Sequence, residues 1–148
     1  MFFKTLVVSL MIVAIVALIG SAVNYDMNWY ESSKPSFSPP DWLFGVVWTI
    51  LYIMIAFSLT FAWTSAKRIQ KRKLSLLFGV NLAANAIWTI IFFGMHLPLL
   101  ALVDLAIIWL STLSLIIFTR KIDKRAAWLL VPYLVWVSLA AVLNAAFL

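Results

Sequence analysis

The chain is 148 residues long, 66 % hydrophobic and only 11 % charged, where a soluble domain averages about 45–50 % apolar and ~25 % charged. So few polar side chains cannot cover a water-exposed globule, and the +6 net charge sits in short clusters between apolar runs. This excludes an ordinary soluble domain, a disordered chain and a nucleic-acid module. With no cysteine, one histidine and five acidic residues, disulfide frameworks, thiolate metal sites and cysteine nucleophiles are excluded, and little is left for acid–base or metal chemistry.

A membrane span needs about 20 mostly apolar residues. Five runs qualify: 5–23, 42–65, 74–94, 98–119 and 126–148. They make residues 1–148 one membrane domain of all-α class, a polytopic bundle of five transmembrane helices. The runs are continuous rather than alternating, unlike the strands of a membrane barrel.

The first span also resembles a secretory signal, with Lys4, an apolar run over 6–19 and a small-residue site at Gly20-Ser21-Ala22. Its length, and the helix-packing residues Ala17, Gly20 and Ser21, favour a retained span. The connector 24–41 is the one long loop. It carries Trp29 and Tyr30, then Pro35, Pro39 and Pro40. Two prolines directly before a helix set how the chain enters it, and the stiffened loop is expected to act as a lid.

In the second span Trp48 and Tyr52 are four residues apart, on one face. Such a pair often only fills a helix interface. In the third span Asn81, Asn85, Trp88 and Phe92 share a stripe, while Gly79, Ala83, Ala86 and Ile90 lie opposite. The polar–aromatic stripe is expected to face the bundle interior, and the small-residue stripe a second helix or another subunit. His96 falls in the turn that follows, where a solvated side chain is the usual outcome and haem ligation the rarer one.

The fourth span places Asp104 roughly 9 Å from its start, at 1.5 Å per residue, with Ile108, Ser111 and Leu115 on its face. A buried aspartate wants a donor, and a structural hydrogen bond to a neighbouring helix is favoured over a relay role, since no second buried acid is present. In the fifth span Tyr133, Trp136, Ala140 and Asn144 share a stripe with Leu143 at its edge, and Pro132 is expected to kink the helix.

Ten of the eleven basic residues fall before the first span, between the second and third, and between the fourth and fifth. An odd number of spans puts all three places on one side, with only Lys34 on the other. The positive-inside rule then places the N-terminus in the cytoplasm and the C-terminus outside. The notable side chains of spans two, three and five lie in the half beneath the loop. Trp, Tyr and Phe with a few amides suit a flat, largely apolar ligand and not an ion.

The motifs together resemble the translocator protein family, also called tryptophan-rich sensory proteins (TspO/MBR). Residues 34–40 (KPSFSPP) are similar to its KPxWxPP loop, 48–52 (WTILY) to W-x-x-L-Y, and 81–94 (NLAANAIWTIIFFG) to N-x-x-W-x-x-x-FFG. Residues 102–105 (LVDL) match its fourth-helix motif, and 131–136 (VPYLVW) with Ala140, Leu143 and Asn144 match PYLxW…A…LN. Five ordered motifs in five spans make the likeness specific.

The resemblance implies a pocket under the first loop for porphyrins, haem and related flat apolar ligands, with cholesterol and benzodiazepine-type drugs as further family ligands. It implies a pocket of Tyr30, Pro39, Pro40, Trp48, Tyr52, Asn85, Trp88, Phe92, Trp136, Ala140 and Leu143. Protoporphyrin IX or haem would be the ligand, with no obligatory cofactor and no metal site. It also implies a homodimer, for which the Gly79/Ala83 face is the candidate. Two alternatives remain at this point. One is a light- and oxygen-dependent porphyrin-degrading enzyme with Trp48 and Trp136 as the reacting residues. The other is a small-molecule transporter, disfavoured by the lack of an internal repeat. The sequence departs from the family pattern at Phe37, which replaces a tryptophan, and it lacks the tyrosine and arginine of the sterol-recognition pattern. A prokaryotic inner membrane is the simplest location.

Overall fold

The computed structural model describes residues 1–148, and every regular element in it is helical. The long helices are α1 (Phe2–Ser21), α3 (Asp41–Ser65), α4 (Arg68–Thr89), α5 (Pro98–Arg120) and α6 (Lys124–Ala145). A short α2 (Met27–Ser33) lies in the long loop, and one π-helical turn, Ile90–Gly94, extends α4. Five helices, counting α4 with its π turn, are long and apolar enough to cross a membrane.

Local chemistry explains the boundaries. Asp26 caps α2 by accepting from the Trp29 amide, and Asp123 caps α6 by accepting from the Arg125 amide. Proline opens α5 at its first turn, where its missing N–H costs nothing. Pro132 lies within α6, which continues through it to Ala145.

The long helices close into a ring in the order α1, α3, α6, α5, α4 and back to α1. Ile55, Leu74, Leu115, Leu130 and Val137 are fully buried at its centre. Interhelical bonds pin the ring where lipid offers no competing partner. Ser58 donates to the Ala126 carbonyl at 2.8 Å, Thr60 to Ser9 Oγ at 3.1 Å, and the Trp109 indole to Ser138 Oγ at 2.9 Å.

The third span differs from the sequence expectation at its start. Arg68, Lys71, Arg72 and Lys73 belong to the first turns of α4, not to a connector. Lys and Arg are good helix formers, and their stems lie along apolar surface while the charge stays in water. Lys71 sits over the Trp63 ring at 5.2 Å, Lys73 over Phe118 at 4.6 Å and Arg125 over Phe61 at 4.3 Å. This basic end is opposite the loop end. The last helix stops at Ala145 rather than 148, and the long loop contains a helix that the span pattern does not show.

Candidate functional site

The loop end of the ring encloses a cavity of about 520 Å³. Its floor rests on a chain of buried polar groups. Tyr52 O–H donates to Asn85 Oδ1 at 2.8 Å, and Asn85 Nδ2 donates to the Tyr133 oxygen at 3.1 Å. Tyr133 O–H donates to Asn81 Oδ1 at 3.1 Å. Asn81 Nδ2 ends the chain on α5, donating to Ser111 Oγ, Thr112 Oγ1 and the Ile108 carbonyl at 2.8, 2.9 and 3.2 Å. One run of bonds thus joins α3, α4, α6 and α5 and leaves no amide of the two asparagines facing lipid.

A second tie holds the upper wall. The Trp88 indole donates to Asn144 Oδ1 at 3.1 Å, and Asn144 Nδ2 donates to the Pro98 carbonyl at 2.8 Å. This fixes α4, α6 and the start of α5 around the cavity. Trp88 stacks on Phe92 with ring centroids 5.0 Å apart, and Trp136 meets Phe44 edge-on at 5.7 Å. Trp48 lies 5.5 Å from Tyr52 and 6.3 Å from Tyr133. The Trp136 indole N–H is buried and makes no hydrogen bond.

Helix α2 roofs the cavity. Trp29 stacks on His96 at 4.5 Å and touches Phe92 at 5.4 Å and Phe147 at 5.5 Å. Tyr30 lies 5.8 Å from both Phe93 and Phe147. Partial burial raises the Tyr30 phenol above its ordinary pKa, helped by the nearby Asp41 carboxylate. Asp41 is the one charged residue on the cavity wall, and Lys34 stands 3.6 Å from it and 2.8 Å from Glu31. The hydrogen bond to Glu31 holds the Lys34 ammonium above its usual pKa.

The structure brings Tyr30, Trp48, Tyr52, Asn85, Trp88, Phe92, Trp136, Ala140 and Leu143 to the cavity wall. Pro39 and Pro40 are not on it. Pro40 instead precedes the first turn of α3 with φ −55°, so the pair sets the helix start, and their neighbours Ser38 and Asp41 face the cavity. Phe37 is 60 % exposed and stands outside.

Several wall residues escape the sequence reading. Helix α1 contributes Ala17, Gly20 and Ser21, whose small size signals helix packing equally well. Phe93 reaches the wall beside Phe92 because the π turn inserts an extra residue, with the Met95 amide bonded back to the Ile90 carbonyl. No spacing rule shows that turn. Phe147 lies beyond the last helix, and only the fold brings it under α2.

Two expectations need correction. His96 is not simply solvated: it adopts a φ of +55°, stacks under Trp29 and buries its Nε2 without a partner. Asp104 is buried, but its Oδ2 accepts no hydrogen bond. The small-residue stripe of α4 is also divided. Ala86 is buried and Thr89 lies against α1 at Gly20, while Gly79 and Ala83 stay exposed.

Comparison with known proteins gives a consistent result. Residues 7–148 match the profile of the TspO/MBR family. The chain is 42 % identical to the tryptophan-rich protein TspO of Chlorobaculum tepidum, over 79 % of this chain and 76 % of that one. It is 36 % identical to the protein of the same name from Archaeoglobus fulgidus, over 94 % and 92 % of the two chains. The human translocator protein is 33 % identical over 80 % of this chain and 72 % of its own length.

Proposed function

The chain belongs to the TspO/MBR family and is an integral membrane protein, and from that premise we propose that it binds tetrapyrroles and related flat apolar ligands in the cavity beneath α2. The observation that carries this reading is the cavity itself. Its volume of about 520 Å³ lies within the ~300–1,000 Å³ of small-molecule sites. Aromatic rings from four helices wall it. A planar macrocycle fits walls of this kind because stacking rewards flat apolar area.

The test is a titration with protoporphyrin IX followed by its Soret band. Trp48→Ala and Trp136→Ala should each weaken binding by about 2 kcal/mol, roughly thirtyfold in Kd. Parent-like binding in both folded variants would refute the reading.

A second reading draws on the row of oxidisable rings, with Trp48 within 5.5 Å of Tyr52 and 6.3 Å of Tyr133. Under light and oxygen, Trp48 and Trp136 would act in porphyrin degradation. Illumination decides it: conversion no faster than that of free porphyrin would remove an enzymatic role.

Two further proposals accompany the binding reading. One is a location in a prokaryotic inner membrane with the basic end in the cytoplasm, an orientation that the positive-inside rule supports. The exposed Gly79/Ala83 face, with open space around Gly79, supports a homodimer contact there.

A further inference from the structure

Helix α1 changes partner along its length. Toward the basic end it lies on α3, where Thr60 donates to the buried Ser9 at 3.1 Å and the Phe2 ring is 5.3 Å from Phe61. Toward the loop end it lies on α4. A Cβ at Gly20 would sit 3.6 Å from Thr89 Oγ1, and one at Gly94 would sit 3.3 Å from Val23. Beyond α1, Tyr25 continues the same contact, 4.5 Å from Phe93. The seam between α1 and α3 therefore widens toward the cavity.

The surface of α3 records that widening. Gly45, Thr49, Ala56 and Thr60 fall on one stripe at 100° per residue. Ala56 and Thr60 are fully buried under α1, whereas Thr49 and Gly45 on the same stripe are exposed. Nothing lies within 4 Å of a Cβ built on Gly45. Gly45 and Thr49 also line the cavity, as do Ala17, Gly20 and Ser21 across the seam. Beside this stripe Val46, Ile50 and Ile53 form the outer, apolar face of α3. Thr49 is eight residues into α3, about 12 Å along it, at the depth of lipid chains rather than of water. At the roof, by contrast, Trp29 is held by rings from three places, Phe92, His96 and Phe147.

We infer that the cavity opens sideways into the bilayer between α1 and α3, and that a flat apolar ligand passes from the lipid through this small-residue opening. The inference rests on the binding reading for its ligand, but the opening itself is testable without it.

The kinetic test uses the full chain in liposomes, with protoporphyrin IX delivered from a second set of vesicles and binding followed by stopped flow. Gly45→Phe and Thr49→Phe fill the opening. Association and dissociation should both slow by tenfold or more, because a narrowed passage hinders traffic in each direction. Ala106→Phe, which introduces the same ring on the exposed face of α5, should keep the parent rates. Rates within twofold of the parent in both filled variants would overturn the inference. So would faster dissociation, which would mean lost affinity instead of a blocked route.

A ligand-free arm separates the two ideas. In vesicles of dibrominated phosphatidylcholine, the fluorescence that disappears on Trp48→Phe should be quenched in the parent and protected in Gly45→Phe. Absence of quenching in the parent would refute the opening. Failure of porphyrin to bind the parent, with quenching intact, would refute only the ligand.

Discussion

Tyr52 gives its phenolic proton to Asn85 Oδ1 at 2.8 Å, and this bond couples the wall of the cavity to the polar centre of the bundle. Because Asn85 in turn donates to Tyr133, a change at the wall is felt three helices away. Tyr52→Phe should cost about 1 kcal/mol, the usual worth of one interhelical bond in lipid. Asn85→Leu removes two bonds and strands the Tyr52 hydroxyl, so it should cost about 2–3 kcal/mol. Thermal unfolding in detergent, with the order Asn85→Leu below Tyr52→Phe below parent, checks this.

Removing Trp29 should release the roof. Its ring touches Phe92, His96 and Phe147, and each aromatic contact contributes about 0.5–1.5 kcal/mol beyond area burial. Trp29→Ala should raise protease cleavage within 24–41 by roughly tenfold or more, since cleavage follows local opening. Trp29→Phe should restore most of the protection. Equal cleavage in Trp29→Ala and the parent would show that α2 is held by other contacts.

Acid sensitivity at the basic end follows from Asp123. The Arg125 guanidinium, 2.9 Å away, holds the Asp123 carboxyl below its ordinary pKa, assisted by the Ser65 hydroxyl at 3.2 Å. A carboxyl lowered by folding stabilises the protein above its unfolded value near pH 4. That contribution is lost as pH falls through the lowered folded value. Asp123→Asn should therefore lower Tm at pH 7 and flatten its dependence on pH below about 4. A parallel shift of the whole curve would contradict this.

Asp104 is buried with an oxygen that accepts nothing, and an ionisable group buried without a partner works against folding. Asp104→Asn should leave Tm unchanged or raise it, by up to about 1 kcal/mol of stability. A loss of several degrees would show that the carboxyl has a partner in the membrane-embedded protein.

The helical class and the number of spans were legible because apolar runs of this length have no other stable form in lipid. The stripes through Asn85, Trp88, Trp136 and Ala140 were legible from periodicity, and all four reach the cavity wall. What stayed hidden depends on contacts distant in sequence. The roof role of Trp29 arises from rings contributed by α4's extension, the following turn and the chain end. Phe93 needs a π turn to reach the wall, and the positive φ of His96 marks a backbone choice that side-chain periodicity does not encode. Pro39 and Pro40 show the converse: a conspicuous motif can shape the start of a helix and yet stay off the wall it introduces.

The hydrogen-bond order below the cavity has a direction, running from Tyr52 inward to the Ile108 carbonyl, and the Tyr52 hydroxyl proton is directed to Asn85 rather than to the guest. At Tyr52 the chamber therefore presents bare lone pairs. A visitor bearing a pyrrole N–H or a hydroxyl finds a willing acceptor there, whereas one that shows only a carbonyl meets like polarity. The floor thus sorts guests by which way round their hydrogens lie, before shape is considered.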